Sequence, residues 1–205
     1  MSEARAADGL CQKENLAVLL HFIQHMNLKT LVLPIVALAM TAAHADDFNV
    51  VSKSQLSGHF PPAQFANAMG CTGKNLSPHL AWQGAPQGTK SYVITVYDPD
   101  APTGSGWWHW VVANIPASVT ELQEGAGSEG GQLPQGAQSV RGDNGRPGYV
   151  GICPPNGQVH NYVVTVHALK VETLDLPTYV TPAMLGFMTL GTGLAKATLT
   201  IKGGR

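Results

Sequence analysis

The stretch Ser91-Tyr92-Val93-Ile94-Thr95-Val96-Tyr97-Asp98 decides the fold. Strand-forming residues fill both alternating sets, with Tyr92, Ile94 and Val96 on one side and Val93, Thr95 and Tyr97 on the other. Aromatic and β-branched side chains suit a pleated, packed surface, and a short run of them closed by a turn is read as a strand. Both faces are apolar, so the strand is expected at the centre of a sheet rather than half exposed.

Further strands are expected on either side. Before it, Asp46–Lys53 carries Phe48, Val50 and Val51, and Leu80–Trp82 opens a short strand. After it come Trp108–Ile115, stopping at Pro116, then His160–Leu169, and finally Ala197–Ile201. Gly58-His59-Phe60-Pro61-Pro62 is irregular, because each proline turns the preceding residue away from helix. Thr120–Gly148 is rich in Gly, Gln and Ser without helical period, and is expected to be a long excursion with short turns. Thr181-Pro182 has the form of an N-cap followed by proline at the first helical position, which predicts one short helix to about Leu190, near the C-terminus. Many strands and one helix imply a mainly β, sandwich-like domain. No internal repeat and no linker suggests a second one.

Composition agrees with a folded, loop-rich chain. Of 205 residues 12% are charged and 44% apolar, with 23 Gly and 14 Pro, and the formal net charge is −1. No cluster of Lys or Arg exceeds a pair, so the cationic footprint of a nucleic-acid or anionic-membrane binder is missing. From Met26 the chain shows Lys29, an apolar run Thr30–Met40 and an Ala43-His44-Ala45 box, the layout of a cleavable signal peptide over residues 26–45. A span needs roughly 20 apolar residues, so the run is too short to anchor the chain; the other reading is a buried N-terminal helix. Cleavage after Ala45 predicts a periplasmic or secreted chain of residues 46–205. Residues 1–25 are then best read as a gene-model extension upstream of the true start, the alternative being an unusually long leader. Of Cys11, Cys71 and Cys153, two remain after cleavage. In an oxidising compartment Cys71 and Cys153 either bridge or stay separate thiols, since sequence alone does not give their distance. A bridge would close a loop of about 80 residues and stabilise by roughly 4 kcal/mol in the entropy model.

Three blocks hold side chains suited to chemistry. Tyr97-Asp98-Pro99-Asp100-Ala101-Pro102 ends the central strand with two carboxylates held by two prolines, either a pre-organised site or a stiff turn. Trp107-Trp108-His109-Trp110 follows; alternation sends His109 to one face and Trp108 and Trp110 to the other. If this strand pairs with the one ending at Asp98, a carboxylate within about 4–6 Å favours an imidazolium at His109 near neutral pH. The third block runs from Gly148-Tyr149-Val150-Gly151-Ile152-Cys153-Pro154-Pro155 to His160-Asn161-Tyr162. Gly151 would permit close backbone approach to a ligand. His160 and Tyr162 share a strand face and could point into one cavity; the plainer reading is a Gly/Pro loop leading into a strand.

Together these blocks resemble the phosphatidylethanolamine-binding protein family. Asp98-Pro99-Asp100-Ala101-Pro102 with His109-Trp110 is similar to its first motif, and Gly151…Pro154-Pro155 with His160-x-Tyr162 to its second. Cys71–Trp82 and Pro102–Trp110 resemble the bacterial branch, named for similarity to Raf kinase inhibitor proteins. The resemblance implies a large antiparallel sheet packed on a smaller one, with a surface pocket. By matched position Asp98, Asp100 and His109 line one side and Gly151, Pro154, His160 and Tyr162 the other, with Tyr149 near. It further implies binding of small anions, phospholipid headgroups such as phosphorylethanolamine, or carboxylates, without catalysis or cofactor. Relatives usually carry Arg where this chain has Asn161, which removes a permanent cation. A metal-dependent hydrolase using Asp98, Asp100, His109 and His160 is the enzymatic alternative. A homodimer and an inhibited protein partner, protease or kinase-like, stay open.

Overall fold

The structure is a computed structural model, and it describes residues 47–205. The segments expected to be extension (1–25) and signal peptide (26–45) lie outside the described residues. Among the described residues eight strands and one α-helix follow in chain order: β1 Asn49–Val51, β2 Leu80–Gln83, β3 Ser91–Asp98, β4 Trp107–Pro116, β5 Glu121–Leu122, β6 Gln138–Ser139, β7 Val159–Leu169, α1 Pro182–Thr192 and β8 Gly193–Gly204. Two antiparallel sheets result, a small one ordered β1-β2-β5 and a large one ordered β6-β4-β3-β7-β8. β3 is the middle strand of five, as its two apolar faces require. Among the described residues no helix is long and apolar enough to cross a membrane.

The two faces of the large sheet bury separate cores. Tyr92, Ile94 and Val96 join Tyr162, Val164 and Val166 of β7, and pack against Val50, Leu80, Trp82 and Leu122 of the small sheet. Val93, on the opposite face, packs with Val111, Ala113 and Leu169 under Leu185 of α1. That helix starts where the sequence predicts: the Thr181 hydroxyl accepts from Met184 N–H at 3.2 Å, and Pro182 occupies the first turn. β8 is longer than expected. Its exposed Lys, Thr and Gly residues hide the strand period, and pairing with the whole of β7 supplies the order.

The β3–β4 register contains the feature that shapes the site. Val96 pairs with Trp110 and Tyr97 with Trp108, so His109 is an extra residue opposite no partner, a β-bulge. A bulge shifts alternation by one. Trp110 therefore enters the core between the sheets while Trp108 packs on the other face, which corrects the expectation that both tryptophans share a side.

Candidate functional site

β3 and β4 are joined by the Pro99–Gly106 loop, and β7 runs beside β3, so the ends of three strands meet at one edge of the large sheet. There a cavity of about 220 Å³ is lined by Asp98, His109, Pro154 and His160, among the expected residues, and also by Met69, Trp107 and Cys153. Among the described residues no Lys or Arg lines it.

Asp98 and His160 form its buried polar floor. Their side chains are each 4% exposed, and His160 Nδ1 lies 2.8 Å from Asp98 Oδ2. The second carboxylate oxygen accepts from Asp100 N–H at 2.9 Å, so the Asp-Pro-Asp turn fills both oxygens of its own first acid. His160 Nε2 lies 3.0 Å from Gln158 Oε1. Both ring nitrogens thus face oxygen, and the Asp98 carboxylate and the Gln158 amide fix the orientation of the ring.

His109 differs. Its Nδ1 lies 2.9 Å from the carbonyl of Val150, and a carbonyl can only accept, so Nδ1 carries the proton. Nε2 has no hydrogen-bond partner among the described residues and is the nitrogen left for the cavity. Burial pushes the His109 pKa below its ordinary value, outweighing the opposite pull of the Val150 carbonyl and of the Asp98 and Asp143 charges. The expectation of a standing imidazolium at His109 is thereby corrected. The carboxylate is near, but the ring is sealed against Tyr162, 5.3 Å away between ring centroids, and desolvation wins.

Four other expected residues stand apart from the lining. Asp100 is exposed and accepts both the backbone and side-chain N–H of Asn161, at 2.8 and 2.9 Å, which hold its carboxyl below the usual range. Asn161 is thus occupied with Asp100. Tyr162 is fully buried under His109, its hydroxyl has no hydrogen-bond partner among the described residues, and burial, then the nearby Asp98 charge, push its pKa up. Tyr149 is buried against Trp110 and donates to the Gln64 carbonyl at 2.8 Å. Gly151 allows a close approach, but to the chain itself: a Cβ there would lie 2.3 Å from Ala66 N. Its N–H donates to Asn75 Oδ1 at 2.7 Å.

Cys71 and Cys153 are joined, with Cα atoms 5.9 Å apart. The bridge ties the Met69 turn to the Cys153-Pro154-Pro155 wall. Met69 itself was missed by sequence reasoning, since an exposed Met in a polar loop carries no pattern. Trp107 could have been found from its place at the start of β4. Among the described residues no group of three or more His, Cys, Asp or Glu side chains is arranged to hold a metal ion.

Known proteins share this architecture and these segments. The family model described as "Phosphatidylethanolamine-binding protein" matches residues 52–203. The Escherichia coli UPF0098 protein YbhB is 50% identical over 140 residues, 68% of this chain and 89% of that protein. The Escherichia coli UPF0098 protein YbcL is 44% identical over 177 residues, covering 84% of this chain and 97% of the relative. The crystal structure of E. coli YbcL, described as "a new member of the mammalian PEBP family", superimposes with a TM-score of 0.73 at 43% identity, over 77% of this chain and 98% of that one. Motifs, two-sheet fold and family model agree: this chain belongs to the phosphatidylethanolamine-binding protein family.

Proposed function

We propose that this chain is an exported binding protein whose cavity captures small anionic headgroups of the phosphorylethanolamine, phosphate or carboxylate type. The observation that carries the reading is the convergence of His109 and His160, far apart in sequence, beside Asp98 around one concave site. Apolar walls from Pro102, Trp107, Pro154 and Pro155 would exclude water from that site and strengthen polar contacts inside it. Export is supported by the leader-like segment 26–45 and by the Cys71–Cys153 bridge, which suits an oxidising compartment.

The polar floor explains how an anion could bind beside an aspartate. Asp98 is hydrogen-bonded to His160, and among the described residues no Lys or Arg lines the cavity, so the adjustable charge is His109. Protonated at Nε2, it turns from an acceptor into a charged donor aimed at the ligand. Binding an anion then takes up about one proton, and affinity changes by at most about tenfold per pH unit. Because the His109 pKa is lowered in the free protein, the gain on acidification continues through the ordinary histidine range and ends only below it.

Isothermal titration with phosphorylethanolamine at pH 5.5 and 8 tests the reading. Tighter binding at pH 5.5, with proton uptake seen as a dependence of heat on buffer, is the expected result; equal affinities, or no binding at either pH, refute it. Binding without catalysis is also supported by Asp98, whose two oxygens are already engaged and poorly placed to ligate a metal. Elemental analysis of protein purified without chelator tests that point, and a stoichiometric divalent metal would overturn it.

A further inference from the structure

The Cys71–Cys153 bridge is a partition. Cys153 lines the cavity described above, together with Met69, whereas Cys71 lines a second cavity of about 250 Å³ on the other side with Gly70 and Arg205. The segment it holds is a tight turn. Cys71 N–H donates to the Ala68 carbonyl at 3.0 Å, and both central residues have positive φ, 55° at Met69 and 79° at Gly70. Gly70 adopts this freely, but a Met is held there only when its surroundings dictate it. Two long-range ties do so: the disulfide, and Arg205 Nη1 donating to the Gly70 carbonyl at 2.7 Å. The same guanidinium nitrogen lies 3.3 Å from Cys71 Sγ and 3.6 Å from Cys153 Sγ.

We infer that this bridge is a redox-responsive clamp, which fixes Met69 over the ligand cavity when oxidised and releases that wall when reduced. Three features combine in it. The bridge joins the two walls of the cavity mouth. Cys71 is buried but lines a neighbouring cavity, so a small thiol entering there approaches the bridge from the side away from the ligand site. A fixed cation beside both sulfurs stabilises the thiolates that reduction creates, and a better leaving thiolate is displaced faster.

The reductant is a dithiol. Its thiolate attacks Cys71 Sγ, the Sγ–Sγ bond breaks, and Cys153 leaves as a thiolate beside Arg205 before taking a proton. The second thiol of the reductant then closes on the mixed disulfide and expels Cys71. Two electrons pass from the dithiol, which ends as a cyclic disulfide, to the protein, which ends with two thiols.

Hydrogen–deuterium exchange of the full chain, oxidised and after treatment with dithiothreitol, tests the clamp without any ligand. The expected result is exchange faster by on the order of tenfold in peptides covering 68–73 and 152–158, which hold the hydrogen-bonded amides of Cys71, Gly73, Ile152, Gly157 and Gln158, with β3, β4 and β7 unchanged. Unchanged exchange in the turn overturns the clamp. So does a general acceleration that includes the central strands, which would make the bridge a support of the whole fold. Arg205→Ala is expected to slow reduction by dithiothreitol several-fold, and an unaltered rate removes the guanidinium from the device. The coupling to binding rests on the headgroup reading and is measured separately: phosphorylethanolamine is expected to bind the reduced protein several-fold more weakly than the oxidised one. Equal affinity in the two states overturns the coupling. An oxidised protein that binds none refutes the headgroup reading instead, and the exchange result then decides the clamp alone.

Discussion

Asp98→Asn keeps the shape of a buried side chain and removes its charge. In the native site Oδ2 faces His160 Nδ1 at 2.8 Å and Oδ1 accepts the Asp100 N–H at 2.9 Å. Asparagine has one oxygen and one NH₂, so one of those contacts is lost unless His160 changes tautomer and accepts from the NH₂ at Nδ1. A buried donor left without an acceptor costs about 1–3 kcal/mol. Removing one partner of a buried ion pair costs about 3–5 kcal/mol. Side-chain volume is retained and a change of His160 tautomer relieves part of the mismatch, which places the expected loss near the lower end of the second range, about 3 kcal/mol. With a urea dependence of about 2 kcal/mol per molar, the unfolding midpoint should fall by about 1.5 M. Urea unfolding at pH 7, with the disulfide intact, measures it. The companion His160→Gln and the double variant complete a cycle in which the double variant should lose at least about 1 kcal/mol less than the sum of the singles. A midpoint shift below about 0.3 M, or strict additivity, would show that the pair is not the buried support described here.

Three further outcomes follow from the same geometry. Gly151→Ala places a Cβ 2.3 Å from Ala66 N, a clash with backbone that cannot rotate away, and should cost about 1–3 kcal/mol or more in urea unfolding. Unliganded protein should lose stability as pH falls from 7.5 to 5.5, because His109 and His167 are held neutral by burial while the unfolded chain takes up those protons near pH 6.5. The folded pKa values are lowered, so the loss begins near the unfolded value and continues down to the folded one. His109→Phe should flatten that decline, and an unchanged slope in paired denaturation curves would contradict the assignment. Thr181→Ala removes the cap on Met184 N–H and should cost about 1 kcal/mol, read as a lower thermal midpoint with no change in ligand affinity.

What could be read from sequence was local and periodic. The apolar faces of Ser91–Asp98 predicted a central strand, and Thr181-Pro182 marked the start of α1, because those signals reside in neighbouring residues. The site was legible in part. Asp98, His109 and His160 sit on strands whose order follows from short connections and apolar patterning, and they do converge. Strand alternation could not reveal the bulge at His109, since a one-residue register shift leaves no mark in composition. Nor could it show that desolvation would outweigh the nearby carboxylate at that ring. Gly151 was expected to make room for a ligand, but its neighbour is Ala66, a contact across more than eighty positions of chain. The same holds for Tyr149 and Tyr162, which face inward against Trp110 and His109. Long-range partners are set by tertiary packing, and single residue types do not announce them.

Nitrogen-15 NMR of the histidine rings during titration with phosphorylethanolamine at pH 5.5 tests the central claim most directly. The account predicts that the His109 and His160 signals move together and saturate with one affinity, His109 Nε2 gaining a proton, while His79 and His167 stay in place. Saturable binding that leaves both cavity histidines undisturbed would contradict it.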